Sequence, residues 1–228
     1  DFINLKTFFP SRHEFSDYFV WAAVQFREQC RYGEEVIELL PERLPGKKDG
    51  EIGLLRVRTR DGNGNISEQL TRNLVLGIGG AANIPPNFRR CMEDARIFHS
   101  STYLRDITRN ADARKIAVIG AGQSAAEIFL DLHGRPNRPQ VDLIMRARAI
   151  RPSDDSPFVN QIFDVDFVDQ VYGRSHNERS ELLREFRHTN YASPDMALIE
   201  QIFKVFYQQR VTGAEGGPCE FVGGIAQF

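Results

Sequence analysis

The first strongly patterned segment, residues 14–30, places apolar side chains every three or four positions. This spacing predicts a helix, and Ser11 just before it is a residue type that caps helix N-termini. We expect the apolar face to belong to a hydrophobic core, because most of its members are aromatic. The apolar positions are Phe15, Tyr18, Phe19, Ala22, Ala23 and Phe26.

Shorter patterns predict strands and two further helices. Residues 54–59 and 66–72 flank a turn at 61–65 that is rich in Gly and Asn, residue types that tolerate positive φ. These three segments predict a β-hairpin. The other predicted elements are strands at 36–40 and 74–80 and helices at 177–188 and 195–210.

A glycine motif lies in the middle of the chain. The apolar run 116–119 leads directly into Gly120-x-Gly122-x-x-Ala125, and a helix-forming segment, residues 124–132, follows. This strand–turn–helix context is typical of a dinucleotide-binding turn. Gly120 permits the tight turn, Gly122 lets backbone N–H groups approach a pyrophosphate, and the small Ala125 lets the helix pack close to the strand. An ordinary strand–turn–helix corner is the alternative.

The next predicted strand, residues 141–145, indicates which dinucleotide would bind. An NAD site has Asp or Glu at the carboxyl end of this strand, but Asp142 lies at its start. The carboxyl end carries Arg146 instead, with Arg148 as a lesser candidate, and a guanidinium there suits a 2′-phosphate. The pattern favours NADP(H) over NAD; a solvated basic strand end is the alternative.

Composition argues against several other classes of function. The 228-residue chain has a formal charge of −2, which indicates neither nucleic-acid nor anionic-membrane binding. Its three cysteines lie far apart, so neither a disulfide framework nor a metal site is expected, and a reducing, cytoplasmic location fits. No apolar run reaches membrane-spanning length, so no membrane association is expected.

Longer motifs resemble one enzyme family. The most specific is the string Arg-Pro-Ser-Asp-Asp-Ser-Pro-Phe-Val-Asn at residues 151–160. With it, the chain resembles the flavin-dependent N-hydroxylating monooxygenases, and specifically the L-ornithine N5-monooxygenases of siderophore biosynthesis. The other matching segments are residues 4–18, 32–36, 97–101, 120–129 and 189–191.

The resemblance implies an α/β fold in which a Rossmann-like NADPH-binding domain is joined to part of an FAD-binding domain, as in flavoproteins with two dinucleotide-binding domains. Residues 1–110 would be the partial FAD-binding domain, and 111–212 the NADPH-binding domain with a helical substrate segment. The glycine-rich residues 213–228 would be an unmatched tail. The family's FAD-binding glycine motif would precede Asp1, so we expect the chain to be an internal fragment that binds flavin poorly by itself.

The resemblance also implies which residues bind the cofactors. Arg146 would hold the 2′-phosphate of NADPH, and Val36 would contact the flavin nucleotide through its backbone. Asn190 would be shared between substrate and nicotinamide nucleotide, with Tyr191 and Ala192 beside it. The loop that would bind the NADPH phosphates consists of Gly120, Ala121, Gly122, Gln123 and Ser124.

For the substrate, the resemblance implies that Asn160 binds the amino acid, with Val159 to Phe163, and so Gln161, Ile162 and Phe163, forming the wall of its site. An asparagine amide has donors and an acceptor, so it can bind either an α-carboxylate or an α-ammonium. From spacing alone, helix capping is the alternative for both Asn160 and Asn190. Asp154 and Asp155, in a predicted turn, and His99 are assigned structural roles.

The activity that the resemblance implies is hydroxylation of the side-chain amine of L-ornithine, dependent on NADPH and O₂ and proceeding through a C4a-hydroperoxyflavin. FAD and NADPH would be the cofactors, no catalytic side chain is predicted, and a homo-oligomer (a tetramer) is expected. An L-lysine N6-hydroxylase or another class B flavin monooxygenase is one alternative, because ornithine and lysine differ by one methylene. A catalytically incomplete fragment that binds NADP(H) or serves only assembly is another.

Overall fold

The chain divides into two compact units, residues 1–80 and 81–228. The predicted domain boundary near residue 110 and the assignment of the first unit to an FAD-binding domain stay predictions. In the part that is described, no helix is long and apolar enough to cross a membrane. The computed structural model describes residue 4, residues 10–43, 52–186, 189 and 193–212, and the backbone of 219–222.

The first unit begins with helix α1, Arg12–Gln25. Its N-cap is Ser11, as predicted: the Ser11 hydroxyl accepts a hydrogen bond from the Glu14 backbone N–H, and the Glu14 carboxylate accepts one from the Ser11 N–H. The prediction that its aromatic face forms a core is wrong for the described structure. The side chains of Phe15, Tyr18 and Phe19 are all more than half exposed, because no described element covers this face.

A three-stranded antiparallel sheet follows α1 in the first unit. Its strands, β1 (Glu35–Glu42), β2 (Leu54–Arg60) and β3 (Ile66–Thr71), lie side by side in chain order, which confirms the predicted strand and hairpin. Asp61 organises the hairpin turn, since its Oδ1 accepts hydrogen bonds from the backbone N–H groups of Asn63 and Asn65, each at 2.8 Å.

One face of this sheet is held by ion pairs. Arg56 and Arg58 on β2 both contact the carboxylate of Glu68 on β3, at 2.6 and 3.1 Å. On the other side, Arg56 contacts Glu42 at 2.8 Å and Arg58 contacts Glu38 at 2.5 Å. These cross-strand pairs connect all three strands through polar side chains.

The strand predicted at residues 74–80 is absent from the described structure. This segment forms no ladder with any described strand, and its apolar side chains are exposed; Val75, for example, is 93% accessible. A strand requires a hydrogen-bonded neighbour as well as an apolar sequence, so the apolar pattern alone gave a wrong prediction here.

The second unit contains a parallel sheet of β4 (Lys115–Ile119), β5 (Gln140–Ile144) and β6 (Cys219–Val222), in the order β4–β5–β6. Helix α4, Gln123–His133, connects β4 to β5 and gives the predicted strand–helix–strand unit. Strand β6 lies in the glycine-rich segment whose sequence showed no clear period.

The remaining helices also belong to the second unit. The two helices predicted from late helical spacing are confirmed as α7 and α8. Short 3₁₀ turns at Ser100–Thr102 and Gln161–Phe163 precede α3 and α6. The helices are α2 (Pro86–Arg89), α3 (Tyr103–Arg109), α5 (Pro157–Asn160), α6 (Val165–Tyr172), α7 (His176–Glu185) and α8 (Met196–Val211).

The core of the second unit lies where α4 packs on the parallel sheet and α8 packs on α4. Phe129 of α4 is completely buried, and its ring stacks on Phe206 of α8 with centroids 5.5 Å apart. This packing fixes α4, and therefore the glycine turn before it, relative to the carboxyl ends of the strands. The buried apolar residues are Tyr103, Ile107, Val118, Ala126, Phe129, Leu132, Val141, Leu143, Met145 and Ile202.

Candidate functional site

The glycine turn follows β4 immediately and opens into α4. Gly120 has φ of +146°, a backbone conformation that residues with a Cβ rarely adopt. A Cβ at Gly120 would lie 3.3 Å from the Cβ of Ala125, so the turn and the first helical turn are in close contact. The Gly120 N–H donates a 2.9 Å hydrogen bond to the carbonyl of Ile144 at the end of β5. Both expectations for these residues, a tight turn and close packing, are confirmed.

The start of α4 suits an anion. Gly122 is its N-cap in extended conformation, and no side chain of the described residues caps the helix. The earliest backbone N–H groups of a helix have no acceptor within the helix, and they carry the positive end of its dipole. The first turn of α4 itself contains no acidic residue, and the carboxylates of Asp195 and Glu127, which contact its first residue, both accept hydrogen bonds from the Gln123 amide. These features fit a pyrophosphate at Gly120–Ser124.

Arg146 lies at the same edge of the sheet as this turn. β4 and β5 are parallel, and Ile119, at the end of β4, pairs with Ile144, at the end of β5. Gly120 directly follows Ile119, and Arg146 lies two residues after Ile144, so both lie beyond the carboxyl ends of their strands, at the same edge of the sheet. Arg146 and Arg148 are both exposed. The sequence predicted this shared edge, while contact of either arginine with a nucleotide stays a prediction.

Asp142 has another role in the second unit. It is the central residue of β5 rather than the first, and its carboxylate pairs with the Lys115 ammonium at 3.0 Å, at the amino end of β4. The side chain of Gln140 donates a second hydrogen bond to it at 3.2 Å. This carboxylate is therefore directed away from the edge where a ribose 2′-OH would lie.

The side chain of Gln123 is engaged within the protein. Its Oε1 accepts a 2.9 Å hydrogen bond from the backbone N–H of Asp195, and its Nε2 donates to the carboxylates of Asp195 at 3.1 Å and Glu127 at 2.9 Å. A phosphate contact by Gln123 would therefore be made by its backbone. Asp195 also caps α8, because its Oδ1 accepts from the Leu198 N–H at 2.9 Å.

The proposed substrate residues Asn160, Gln161, Ile162 and Phe163 lie together at the end of α5 and in the 3₁₀ turn that follows. Asn160 does not cap a helix through its side chain, so that alternative is wrong for this residue. Instead its Nδ2 donates a 2.9 Å hydrogen bond to the carbonyl of Asp155. The side chain of Asn160 is exposed, and its Oδ1 has no partner among the described residues.

The segment before α5 is fixed by backbone hydrogen bonds to the region before α8. The Ser153 N–H donates to the Pro194 carbonyl at 2.9 Å, and the Asp154 N–H donates to the Thr189 carbonyl at 2.8 Å. Hydrogen bonds from the hydroxyl and backbone N–H of Ser156 hold the pKa of Asp154 below its usual value. Asp154 is thus a turn residue, in agreement with the structural role predicted for it.

His99 also has the structural role that was predicted. Its Nδ1 lies 3.1 Å from the backbone N of Ser101, which donates to it, and 3.0 Å from the Ser101 hydroxyl. The ring caps the 3₁₀ turn before α3.

Val36 is the one predicted cofactor contact that falls in the first unit. It lies on β1, an edge strand of the antiparallel sheet, and the pairing with β2 shifts register between Val36 and Glu38. Such a bulge leaves backbone groups outside the ladder, which is compatible with a backbone contact to a ligand. Asn190, Tyr191 and Ala192 lie outside the described residues.

A family model described as L-lysine 6-monooxygenase/L-ornithine 5-monooxygenase matches residues 1–223. The chain belongs to this family. The resemblance inferred from the sequence motifs is therefore confirmed, and the match extends eleven residues into the segment that begins at residue 213.

Comparisons with individual members of this family of N-hydroxylases support the same assignment. The chain is 47% identical to an L-ornithine N(5)-monooxygenase of Pseudomonas aeruginosa over 217 residues, 93% of this chain and 48% of that protein. Its structure is similar to that of the ornithine hydroxylase PvdA of Pseudomonas aeruginosa, with a TM-score of 0.85, covering 98% of this chain and 52% of that one.

A second similar structure is the ornithine N-hydroxylase KtzI of Kutzneria sp. 744, described as its FADred–NADP⁺–L-orn form. It has a TM-score of 0.82 and 31% identity, and the match covers 97% of this chain and 51% of that one. The chain thus spans about half the length of the relatives that it matches. The α/β fold class with a Rossmann-like parallel sheet is confirmed.

Asp195, which links the glycine turn to α8, is a functional candidate that the sequence does not reveal. Its sequence context indicates only the start of a helix, a signal shared by many N-caps. Its contact with Gln123 spans 72 residues of sequence, so no local pattern could have predicted it. In the described part of the chain, no group of three or more His, Cys, Asp or Glu side chains could hold a metal ion.

Proposed function

We propose that the protein takes part in NADPH- and O₂-dependent hydroxylation of the side-chain amine of L-ornithine to N5-hydroxyornithine, with FAD as the second cofactor. The observation that carries the proposal is the shared sheet edge of the Gly120–Gly122 turn and Arg146. It occurs in a chain that is 47% identical to an L-ornithine N(5)-monooxygenase. A role in siderophore biosynthesis, a cytoplasmic location and a tetrameric assembly are parts of the same proposal.

The nucleotide preference rests on charges at the carboxyl end of β5. Arg146 is exposed there, whereas the carboxylate of Asp142 pairs with Lys115 at the other end. A guanidinium can donate several N–H groups to a phosphate at once, and it gives no comparable advantage to a ribose hydroxyl. These residues therefore favour NADP(H), with its pyrophosphate at the start of α4 and its 2′-phosphate on Arg146.

When bound, FAD would supply the redox chemistry, in which NADPH provides two electrons, one atom of O₂ enters the amine and the other leaves as water. This chain's own residues would bind and orient the reactants. The backbone at Val36, beside the β1 bulge, would contact the flavin nucleotide. Contacts at Gly120–Ser124 and Arg146 would hold the nicotinamide nucleotide, with Asn190, Tyr191 and Ala192 as further contacts.

Asn160 would orient the amino acid. Its amide nitrogen is committed to the Asp155 carbonyl, which fixes the side chain and leaves Oδ1 as an acceptor for the α-ammonium of ornithine. Gln161, Ile162 and Phe163 continue the same turn and would form the adjacent wall. The reacting amine must be neutral, although a free alkylamine has a pKa near ~10, and removal of water in a closed site favours the neutral form.

The direct experiment is to purify the protein, add FAD and NADPH, and record its visible spectrum and NADPH oxidation with ornithine or lysine. A flavin band that NADPH bleaches and hydroxylamine formation with ornithine would support the proposal. NADPH oxidation that is driven by lysine but not by ornithine would identify lysine as the substrate instead. The two amino acids differ by one methylene, which is worth only about 1–3 kcal/mol of discrimination in a binding site. A colourless protein that oxidises no NADPH would contradict catalysis by this chain and support the NADP(H)-binding alternative.

A further inference from the structure

The side-chain amide of Gln123 has all its main hydrogen-bonding capacity occupied inside the second unit. Gln123 is the first residue of α4, directly after the glycine turn. Its oxygen accepts from the Asp195 N–H, and its nitrogen donates to the Asp195 and Glu127 carboxylates. Both N–H groups and the carbonyl therefore have partners, and both partly buried side chains are fixed in one arrangement.

The two oxygens of Asp195 act on different helices. Oδ2 accepts from Gln123 at the start of α4, while Oδ1 accepts from the Leu198 N–H and caps α8. One carboxylate thus joins the first residues of two helices whose sides pack together through Phe129 and Phe206. Displacement of the α4 N-terminus would have to displace the α8 N-terminus or break these bonds.

The region before α8 is in turn bonded to the proposed substrate segment. Pro194, next to Asp195, is fully buried, and its carbonyl accepts from the Ser153 N–H. The Asp154 N–H donates to the Thr189 carbonyl. Hydrogen bonds from Gln123 to Asp195 and from Ser153 to Pro194, joined by the Pro194–Asp195 peptide bond, therefore connect the start of α4 to the beginning of the segment that ends at Asn160.

We infer that Gln123 and Asp195 form a positioning pair that couples the dinucleotide turn to the region before α8 and to the Ser153–Asp154 segment. The inference rests on the proposed dinucleotide site and adds a role for two residues that need not contact the nucleotide through their side chains. Nucleotide bound at the turn fixes the α4 N-terminus, and the pair transmits that ordering to the segments beside the proposed substrate residues. Coupling of this kind is reciprocal for binding free energies.

The test is hydrogen exchange of the purified 228-residue chain with and without NADP⁺. Gln123→Met removes both bonds to Asp195 and leaves the Asp195 cap on α8 intact. Asp195→Asn keeps an oxygen that can cap α8 and turns an N–H₂ group towards the Gln123 nitrogen, so one side-chain bond is lost. Ser175→Ala is the matched control, because Ser175 caps α7 in the same unit and its hydroxyl bonds to Glu178 of α7 rather than to the turn.

Without ligand, we expect the Asp195 amide to exchange roughly tenfold faster in Gln123→Met, because its acceptor is gone. With NADP⁺, the native chain and Ser175→Ala should gain protection at residues 121–126 and also at 153–154 and 193–198. In Gln123→Met, protection should be confined to the turn. In Asp195→Asn, which keeps the bond from the backbone N–H of residue 195 to Gln123, the gain of protection at 153–154 and 193–198 should be smaller than in the native chain.

Equal spread of protection in the native chain and both pair variants would overturn the coupling. So would unchanged exchange of the Asp195 amide in Gln123→Met. If NADP⁺ protects neither the turn nor the distant segments of the native chain, the dinucleotide site itself is refuted and the coupling falls with it. These outcomes are distinct, because the ligand-free measurement reports on the pair and the residues 121–126 report on the site.

Discussion

In the second unit, Phe129, Leu132 and Leu143 are almost completely buried, whereas the described aromatic side chains of α1 in the first unit are more than half exposed. Both regions have apolar residues at the spacing of their elements. In the second unit, the elements that cover α4 are the parallel sheet and α8, and both belong to that unit. In the first unit the described elements are held by a helix cap, a hairpin turn and ion pairs. Apolar spacing predicts an element, and burial also requires a partner element.

Truncation of a core side chain in the second unit should have the largest effect on the free energy of unfolding. Phe129→Ala should lower the free energy of unfolding by about 3–5 kcal/mol, because it leaves a cavity between α4, the sheet and α8. Phe19→Ala removes an exposed ring whose main contact is Phe15, at 4.8 Å between centroids, and should cost less than about 1.5 kcal/mol.

Denaturant unfolding followed by circular dichroism measures the change in the free energy of unfolding for both variants, Phe129→Ala in the core and Phe19→Ala in α1. Trp21 is the single tryptophan and lies in α1, so its fluorescence reports on the first unit alone. Equal destabilisation by Phe129→Ala and Phe19→Ala would mean that the contrast in burial has no energetic counterpart.

A second comparison between the two units concerns their stability in acid. Hydrogen bonds from Arg105 and Thr102 and the charges of Arg105 and Arg109 lower the pKa of Asp106 in α3 to about 2. Because this pKa lies below the unfolded value of about 3.9, the carboxylate stabilises the fold above pH 4, and that contribution is lost as the pH falls through 2. In the first unit, the hydroxyl and the backbone N–H of Ser11 lower the pKa of Glu14 in the same direction.

Thermal unfolding between pH 5 and pH 2 would measure this contribution, with Asp106→Asn as the variant. We expect the native chain to lose more stability than Asp106→Asn over that range, because an amide does not titrate. Parallel pH profiles for the two chains would show that Asp106 makes no pH-dependent contribution to stability.

The smallest effect should come from the ion pairs of the first unit. Glu68→Gln removes the carboxylate shared by Arg56 and Arg58, and its side chain is 42% exposed. Exposed pairs contribute little and are screened by salt, so we expect a loss below about 1 kcal/mol that shrinks in 1 M salt. A loss as large as that of Phe129→Ala would mean that polar side chains stabilise the first unit as strongly as the core stabilises the second.

Local sequence was sufficient to predict much of the fold and the sheet edge that Gly120 and Arg146 share. Gly120 needs a conformation that few other residues adopt, and a parallel β4–α4–β5 unit necessarily brings Gly120 and Arg146 to one edge. Ser11 and Glu14 form a cap from residues three positions apart.

The features that local sequence did not predict depend on contacts between residues that are distant in sequence. The run at 74–80 is apolar but has no described strand beside it, and the α1 face has no described cover. Strand β6 was missed because four residues in a glycine-rich segment carry no measurable period. The hydrogen bonds between Gln123 and Asp195 could not be predicted either, because the two residues are 72 positions apart and each also suits an ordinary helix start.

The proposed nucleotide site requires that the Gly120–Gly122 turn and Arg146 together bind a nicotinamide nucleotide that carries a 2′-phosphate. The most direct measurement is the Kd for NADP⁺ and for NAD⁺ by calorimetry, for the native chain, Arg146→Ala and the neighbouring control Arg148→Ala. We expect Arg146→Ala to weaken NADP⁺ binding by about 10- to 100-fold, because hydrogen bonds to a charged group are lost, and to leave NAD⁺ binding nearly unchanged. Equal losses for both nucleotides, or a larger effect from Arg148→Ala, would contradict the proposed site.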